Sequence, residues 1–280
     1  MISSKKAIGG SIAAILVLLV SQVVAQLLAS VLVIIKIPTG ICNIVAGVLY
    51  FVFIYFLLKV LMSKILKLNM ADYGFAKIGL KFKWCLIAIV LPLIVTGVYL
   101  LFFQGKFVPS DMNGNQIFTT LSAGIVFMGI AAGFVEEMVF RGVILNLLKE
   151  RWNIWIAVIV PSVLFGLVHV IGMDFSLGSC LLVILAGTMV GIMFSLIEIE
   201  SGSVWNNGLV HAIWNIVIIG GGLSIGEEAD SYSVMSYVLD SKAFAITGGE
   251  FGIESSVIAL IAYIVVAVFA FAMIMKKQKD

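Results

Sequence analysis

Apolar residues run along this chain in blocks longer and less broken than a soluble fold uses. A helix needs about 20 mostly apolar residues to cross a bilayer. On that measure the pattern predicts eight helices, over residues 7–35, 41–62, 84–103, 118–148, 154–172, 177–198, 204–222 and 255–275. Polar breaks separate them: Pro38-Thr39-Gly40, the lysine-rich stretch 63–83, Gln104 to Gln116, and the acidic segment 223–254. Within that last segment Glu227, Glu228 and Asp230 are expected in a loop or a short interfacial helix. The first run follows Lys5 and Lys6. It far exceeds the core of about 7–15 apolar residues in a cleaved signal peptide, so it reads as a retained first span.

The expected fold is therefore all-α: a polytopic membrane protein of about eight helices around an intramembrane catalytic cavity. Residues 1–117 form a three-span segment without a recognisable motif, 118–222 a four-span core, and 223–280 an outside segment plus the last span. Composition agrees, since 62% of the residues are hydrophobic and only 11% charged, which excludes a soluble domain. No basic patch suggests nucleic acid. Cys42, Cys85 and Cys180 stand alone in apolar surroundings and read as small hydrophobes rather than a disulfide or metal framework.

The placement of cations sets an expected orientation. Threading the chain with its N-terminus inside puts Lys5, Lys6, Lys59, Lys64, Lys67, Lys77, Lys81, Lys83, Lys149, Arg151, Lys276, Lys277 and Lys279 on the inner side. Only Lys36, Lys106 and Lys242 fall outside. That bias predicts a multi-pass plasma-membrane protein with both termini cytoplasmic. Trp84, Trp152, Trp155 and Trp205 fall at span ends and read as interfacial anchors, whereas Trp214 is mid-span. Gly129 with Gly133, and Gly187 with Gly191, are spaced for close helix packing.

Against this apolar background a few polar residues stand out. Glu136, Glu137 and Arg141 lie in the fourth expected span. Even the most lenient insertion scale charges about 2.5–3.5 kcal/mol for such a group at membrane depth, so they pair, face a cavity or do chemistry. Glu137 and Arg141 are four apart, the favourable order for an ion pair that fixes the helix. Glu136 points about 100° away and is left over. The chain's two histidines both fall in expected spans. His169 closes Phe165-Gly-Leu-Val-His169, and His211 shares a helical face with Asn215 four residues on. At 1.5 Å per residue, Glu136, His211 and His169 lie about 18, 10 and 22 Å from the cytoplasmic ends of their helices. A shared layer in the cytoplasmic half is compatible with those depths.

An unpaired carboxylate, two histidines and an asparagine form an acid/base set. A carboxylate in an apolar pocket can take a proton from water near neutral pH, and a neutral His can move a second. A His beside an Asn can donate to a developing oxyanion. This describes amide hydrolysis by water. Zinc is the competing account, with Glu136, His169 and His211 as a ligand set and one open position. No HExxH is present, and no cofactor is firmly implied.

Taken in order, Glu136-Glu137-x-x-x-Arg141, Phe165-x-x-x-His169 and His211-x-x-x-Asn215 resemble the motifs of the CPBP family of intramembrane proteases. That family includes the type II CAAX prenyl endopeptidases and the bacterial Abi and bacteriocin-processing or self-immunity proteins. The resemblance covers roughly residues 118–222. It implies that Glu136 and His169 activate the water and that His211 and Asn215 stabilise the oxyanion or orient the water. Glu137, Arg141 and Phe165 would support them. It leaves zinc open, and the first three spans carry no motif to match.

The expected function is an intramembrane endopeptidase acting near the cytoplasmic half of the bilayer. Its substrate would be a membrane-associated or lipidated peptide or protein, prenylated or not, with membrane lipid around it. Two rivals come from other classes. One is a bacteriocin self-immunity protein that binds without catalysis. The other is a proton-coupled transporter, which the absence of inverted repeats disfavours.

Overall fold

A computed structural model describes residues 2–76, 78–171 and 176–279. Helices occupy all eight expected positions: α1 (Ser4–Ile34), α2 (Thr39–Ile65), α3 (Phe82–Phe102), α4 (Gly114–Arg151), α5 (Ile154–Val168), α6 (Leu177–Ser201), α7 (Val204–Ile218) and α8 (Val257–Lys277). Six of them are long and apolar enough to cross a membrane. The exceptions are α5 and α7, with 15 residues each. At 1.5 Å per residue that is about 22 Å, short of a hydrocarbon core of about 30 Å. Helix α5 stops at Val168, so His169 is its C-cap rather than a residue within a span. Helix α7 stops just before Gly220-Gly221-Gly222, where Gly221 takes φ 77°. Only glycine adopts that left-handed conformation without strain. Gly172, the last residue of the expected fifth span, and Lys77, one of the counted cations, lie outside the described residues.

The chain is mostly helical, but not all-α. Strands β1 (Gly105–Pro109), β2 (Leu223–Gly226) and β3 (Met235–Leu239) form a sheet in the order β1-β3-β2. Antiparallel β1 and β3 run from the pair Gly105↔Leu239 to Pro109↔Met235. Strand β2 lies parallel to β3, from Leu223↔Met235 to Gly226↔Val238. The segment around Glu227, Glu228 and Asp230 is thus a strand end and loop rather than an interfacial helix. Since the helices alternate direction, this sheet caps the end of the bundle where α3 and α7 finish and α4 and α8 begin.

Two apolar clusters hold the bundle. One joins α1, α2 and α4 through residues such as Ala14, Tyr50, Leu58, Met138 and Ile144. The other joins α3, α6, α7 and α8 through Tyr99, Phe194, Trp214 and Tyr263. On α1 the buried stripe is Ala7, Gly10, Ser11, Ala14, Leu18, Ser21, Ala25 and Ala29. These mostly small residues at three- and four-residue spacing let the helix approach α2 closely. Outward-facing leucines, isoleucines and valines on α1, α3 and α8 are exposed. Contiguous apolar faces of this kind are covered by lipid, not water. Helix α7 is the opposite case, buried on nearly every side, so its short length leaves no backbone in lipid.

At the end opposite the sheet, Glu200 binds α3, α6 and α8 together. Its carboxylate receives Lys83 Nζ at 2.6 Å, Lys277 Nζ at 2.6 Å and Trp84 Nε1 at 2.9 Å. Trp84 is therefore fully buried, not the interfacial anchor its position suggested. A buried carboxylate was available to take its indole N–H. Trp155, by contrast, is exposed.

Candidate active site

The site begins with an irregular helix. Helix α4 is wound as π-helix over Ala123–Ala132 and again over Met138–Leu145, with Gly133–Glu137 as a short α-helical segment between them. Single π turns are rare and recur at functional sites, because widening the coil frees backbone groups and re-aims side chains. Here the Asn146 side chain donates to the Arg141 and Gly142 carbonyls, each at 3.0 Å, satisfying groups the irregular winding exposes.

Close approach of α4 to α7 then brings the polar residues together. A Cβ on Gly133 would lie 2.7 Å from the Ala212 backbone, so only glycine permits this spacing. Gly191 plays the same part between α6 and α5, where a Cβ would meet Ser162 Cα at 2.8 Å. Its carbonyl also accepts from Arg141 Nη2 at 3.1 Å. The glycine pairs expected to pack helices sit in those close contacts.

Glu137 and Arg141 form the expected ion pair, with Nη1 to Oε1 at 2.7 Å and both side chains fully buried. The pair is not self-contained, however. Glu137 Oε1 also accepts from His211 Nδ1 at 3.0 Å, and its Oε2 accepts from Asn207 Nδ2 at 2.6 Å. Arg141 lies over the rings of Phe165 at 4.6 Å, Phe194 at 5.3 Å and Phe140 at 5.7 Å. Aromatic faces attract a desolvated guanidinium, so the three rings add to what holds the cation. Glu137 thus joins helix α4 to the histidine of α7.

His211 is fixed on two sides. Its Nδ1–H donates to Glu137, and its ring stacks on Phe194 at 4.7 Å and 21°. That leaves Nε2 directed at Glu136, whose Oε2 is 3.9 Å away. Glu136 Oε2 is buried and has no hydrogen-bond partner among the described residues. His169 is fixed differently, its Nδ1–H donating to the Phe165 carbonyl at 2.7 Å. In the neutral ring Nε2 then keeps its lone pair. The Asn215 side-chain amide donates one N–H to the Met128 carbonyl at 2.9 Å and keeps a second.

All four of these residues, Glu136, His169, His211 and Asn215, line one cavity of about 250 Å³, with Phe165 and Trp214 in its wall. At about 30 Å³ per water it holds roughly eight waters or a short stretch of peptide. Among the described residues no three His, Cys, Asp or Glu side chains converge so as to hold a metal ion. Glu136, His169 and His211 share a cavity, then, but are not gathered as a ligand set.

Sequence reasoning missed Asn207 and Glu254. Asn207 extends the His211-x-x-x-Asn215 register by one turn backwards, which is a signal the spacing carried. Glu254 gave none. It comes from the capping segment, which also places the Phe251 ring 6.0 Å from that of His169. Residues 223–254 therefore help to wall the cavity.

Comparison with known proteins gives a consistent account. Residues 117–217 match the family described as Type II CAAX prenyl endopeptidase Rce1-like. The chain is also similar to "Putative membrane peptidase YdiL" of Bacillus subtilis (strain 168), with 21% identity over 185 residues, covering 64% of this chain and 70% of that one. The resemblance read from the three motifs holds over the segment that builds the cavity.

Proposed function

We propose that this chain is an intramembrane endopeptidase that hydrolyses a peptide bond with water activated by Glu136. The observation that carries this reading is Glu136 Oε2, buried, unpartnered among the described residues and 3.9 Å from His211 Nε2. One water bonded to both atoms fits that gap, since two hydrogen bonds of about 2.8 Å span it at a bent angle. Glu136 takes a proton as the water attacks the carbonyl carbon, and His169 Nε2 is free to accept or pass on a second. Oxyanion stabilisation falls to the free N–H of Asn215, with His211, held through Nδ1 by Glu137, orienting the water. The likeness to type II CAAX prenyl endopeptidases and to a membrane peptidase supports the same class of reaction. The substrate is a membrane-associated or lipidated segment.

The cation bias supports cytoplasmic termini, with the sheet on the outer side. In that orientation His169, at the end of α5, and the capping residues set the cavity toward the outer half. This reading differs from the cytoplasmic half expected from the sequence. The test is cleavage of a quenched peptide library by the purified chain, beside a folded Glu136→Gln variant, with and without a zinc chelator. Cleavage by wild type that disappears in Glu136→Gln supports the reading, and full activity in the variant overturns it. Loss on chelation that zinc restores would replace it with a metal mechanism.

A further inference from the structure

The capping segment contributes one ionisable side chain to the cavity that the water-activation chemistry does not use. Glu254 lies in the turn Ile253–Ser255, just before α8. It lines the cavity alongside Glu136, His169 and His211, and also lines an adjoining pocket on the sheet side. The two spaces share Ile219, Phe251 and Glu254, so Glu254 stands at their junction.

Its backbone is firmly held. The Glu254 carbonyl accepts from Tyr263 Oη at 3.0 Å. Ser255, fully buried, donates to the Gly248 carbonyl at 2.8 Å, and Ser256 caps α8 by accepting from Ala259 N at 3.2 Å. The carboxyl is thus presented at a fixed place, from a different element than Glu136.

We propose that Glu254 is the general acid that protonates the leaving amine; this rests on the endopeptidase reading above. As the water attacks, its proton passes to Glu136 and the C–O bond forms. As the C–N bond breaks, the electron pair goes to nitrogen, which takes the proton of the Glu254 carboxyl. The products are a carboxylic acid and an amine. The proton held by Glu136 then returns through cavity water to the Glu254 carboxylate, restoring both groups.

The surroundings suit that division. Burial pushes the Glu254 carboxyl up to about 7, helped by the negative charge of Glu136 and partly offset by His211 and the Trp214 indole. Tyr263 and, behind it, Tyr99 face it from α8 and α3, and Glu228, Asp230 and Glu250 line the adjoining pocket. A second carboxyl group, set on a different element from the one that takes the water's proton, is a usual arrangement for paired acid and base work.

The test uses the full-length chain, a fluorogenic peptide that wild type cleaves, and a p-nitrophenyl ester of the same acyl part. Nitrophenolate leaves without protonation, so only the peptide needs the acid. Glu254→Gln is expected to lower kcat on the peptide about 100-fold or more, with KM unchanged and ester turnover within a few fold. The fall in peptide kcat as pH rises through about 7 should also disappear. Equal loss on both substrates, an unchanged peptide kcat, or an effect confined to KM would overturn the assignment. If Glu254→Gln does not fold, Glu254→Asp should show the same selective loss in milder form, and an unselective loss would overturn it. Inactive wild type, or a fully active Glu136→Gln, would instead defeat the peptidase reading itself, and the assignment with it.

Discussion

Glu137 holds three partners with one charge, so its removal separates packing from orientation. In Glu137→Gln the guanidinium of Arg141 remains buried among three rings without its counter-ion. Breaking one side of a buried pair costs about 3–5 kcal/mol, so the expected outcome is a large drop in unfolding temperature in detergent. Replacing both charges, as Glu137→Gln with Arg141→Met, should recover much of that stability. Peptide turnover should stay low in both variants, because His211 has lost the acceptor that fixes Nδ1. Full turnover in the stable double variant would show that Glu137 does not orient the histidine. At this scale the sequence was informative about which polar residues come together. It placed Glu136, His169, His211 and Asn215 in one site, and one cavity holds them. It misjudged Glu137, because a favourable i,i+4 spacing says nothing about a third partner arriving from another helix.

Among the elements, the approach of α4 to α7 decides whether the site exists. A methyl group at Gly133 meets the Ala212 backbone, which cannot rotate away. Gly133→Ala is therefore expected to force the helices apart and to cost about 1–3 kcal/mol, with a parallel fall in kcat. Gly97, in α3, has open space where its Cβ would be. Gly97→Ala should stabilise the chain by roughly 0.5–1 kcal/mol and leave turnover unchanged. Thermal unfolding and peptide kinetics on the two variants check both statements. Helix positions were legible because twenty-residue apolar runs have few other readings. Helix ends were less so: the glycines at 220–222 mark the stop of α7, yet hydropathy carried the expected span across them. The π turns left no trace in the pattern, since a run of apolar residues reads the same whether wound as α- or π-helix.

For the molecule as a whole, orientation is the property most open to direct measurement. In a variant lacking Cys42, Cys85 and Cys180, a cysteine at exposed Tyr232 is expected to react with an impermeant maleimide in intact cells. One at Lys64, near the opposite end, should react only after the membrane is opened. The reverse pattern would invert the proposed topology. The sheet at the end where α3 and α7 finish was not legible at all, because its strands are four or five residues long and its pairing is remote in sequence.

That remoteness has a consequence for how the protein comes into being. Gly105 finds its partner only at Leu239, and Phe251 and Glu254 join the cavity from later still. Domains form from the N-terminus as the chain leaves the ribosome. A nascent chain ending after α7 already carries Glu136, His169, His211 and Asn215, but its cavity lacks a wall. Completion of the chamber therefore waits until the segment carrying Phe251 and Glu254 has been made. Assembly order sets a delay between translation and a finished site.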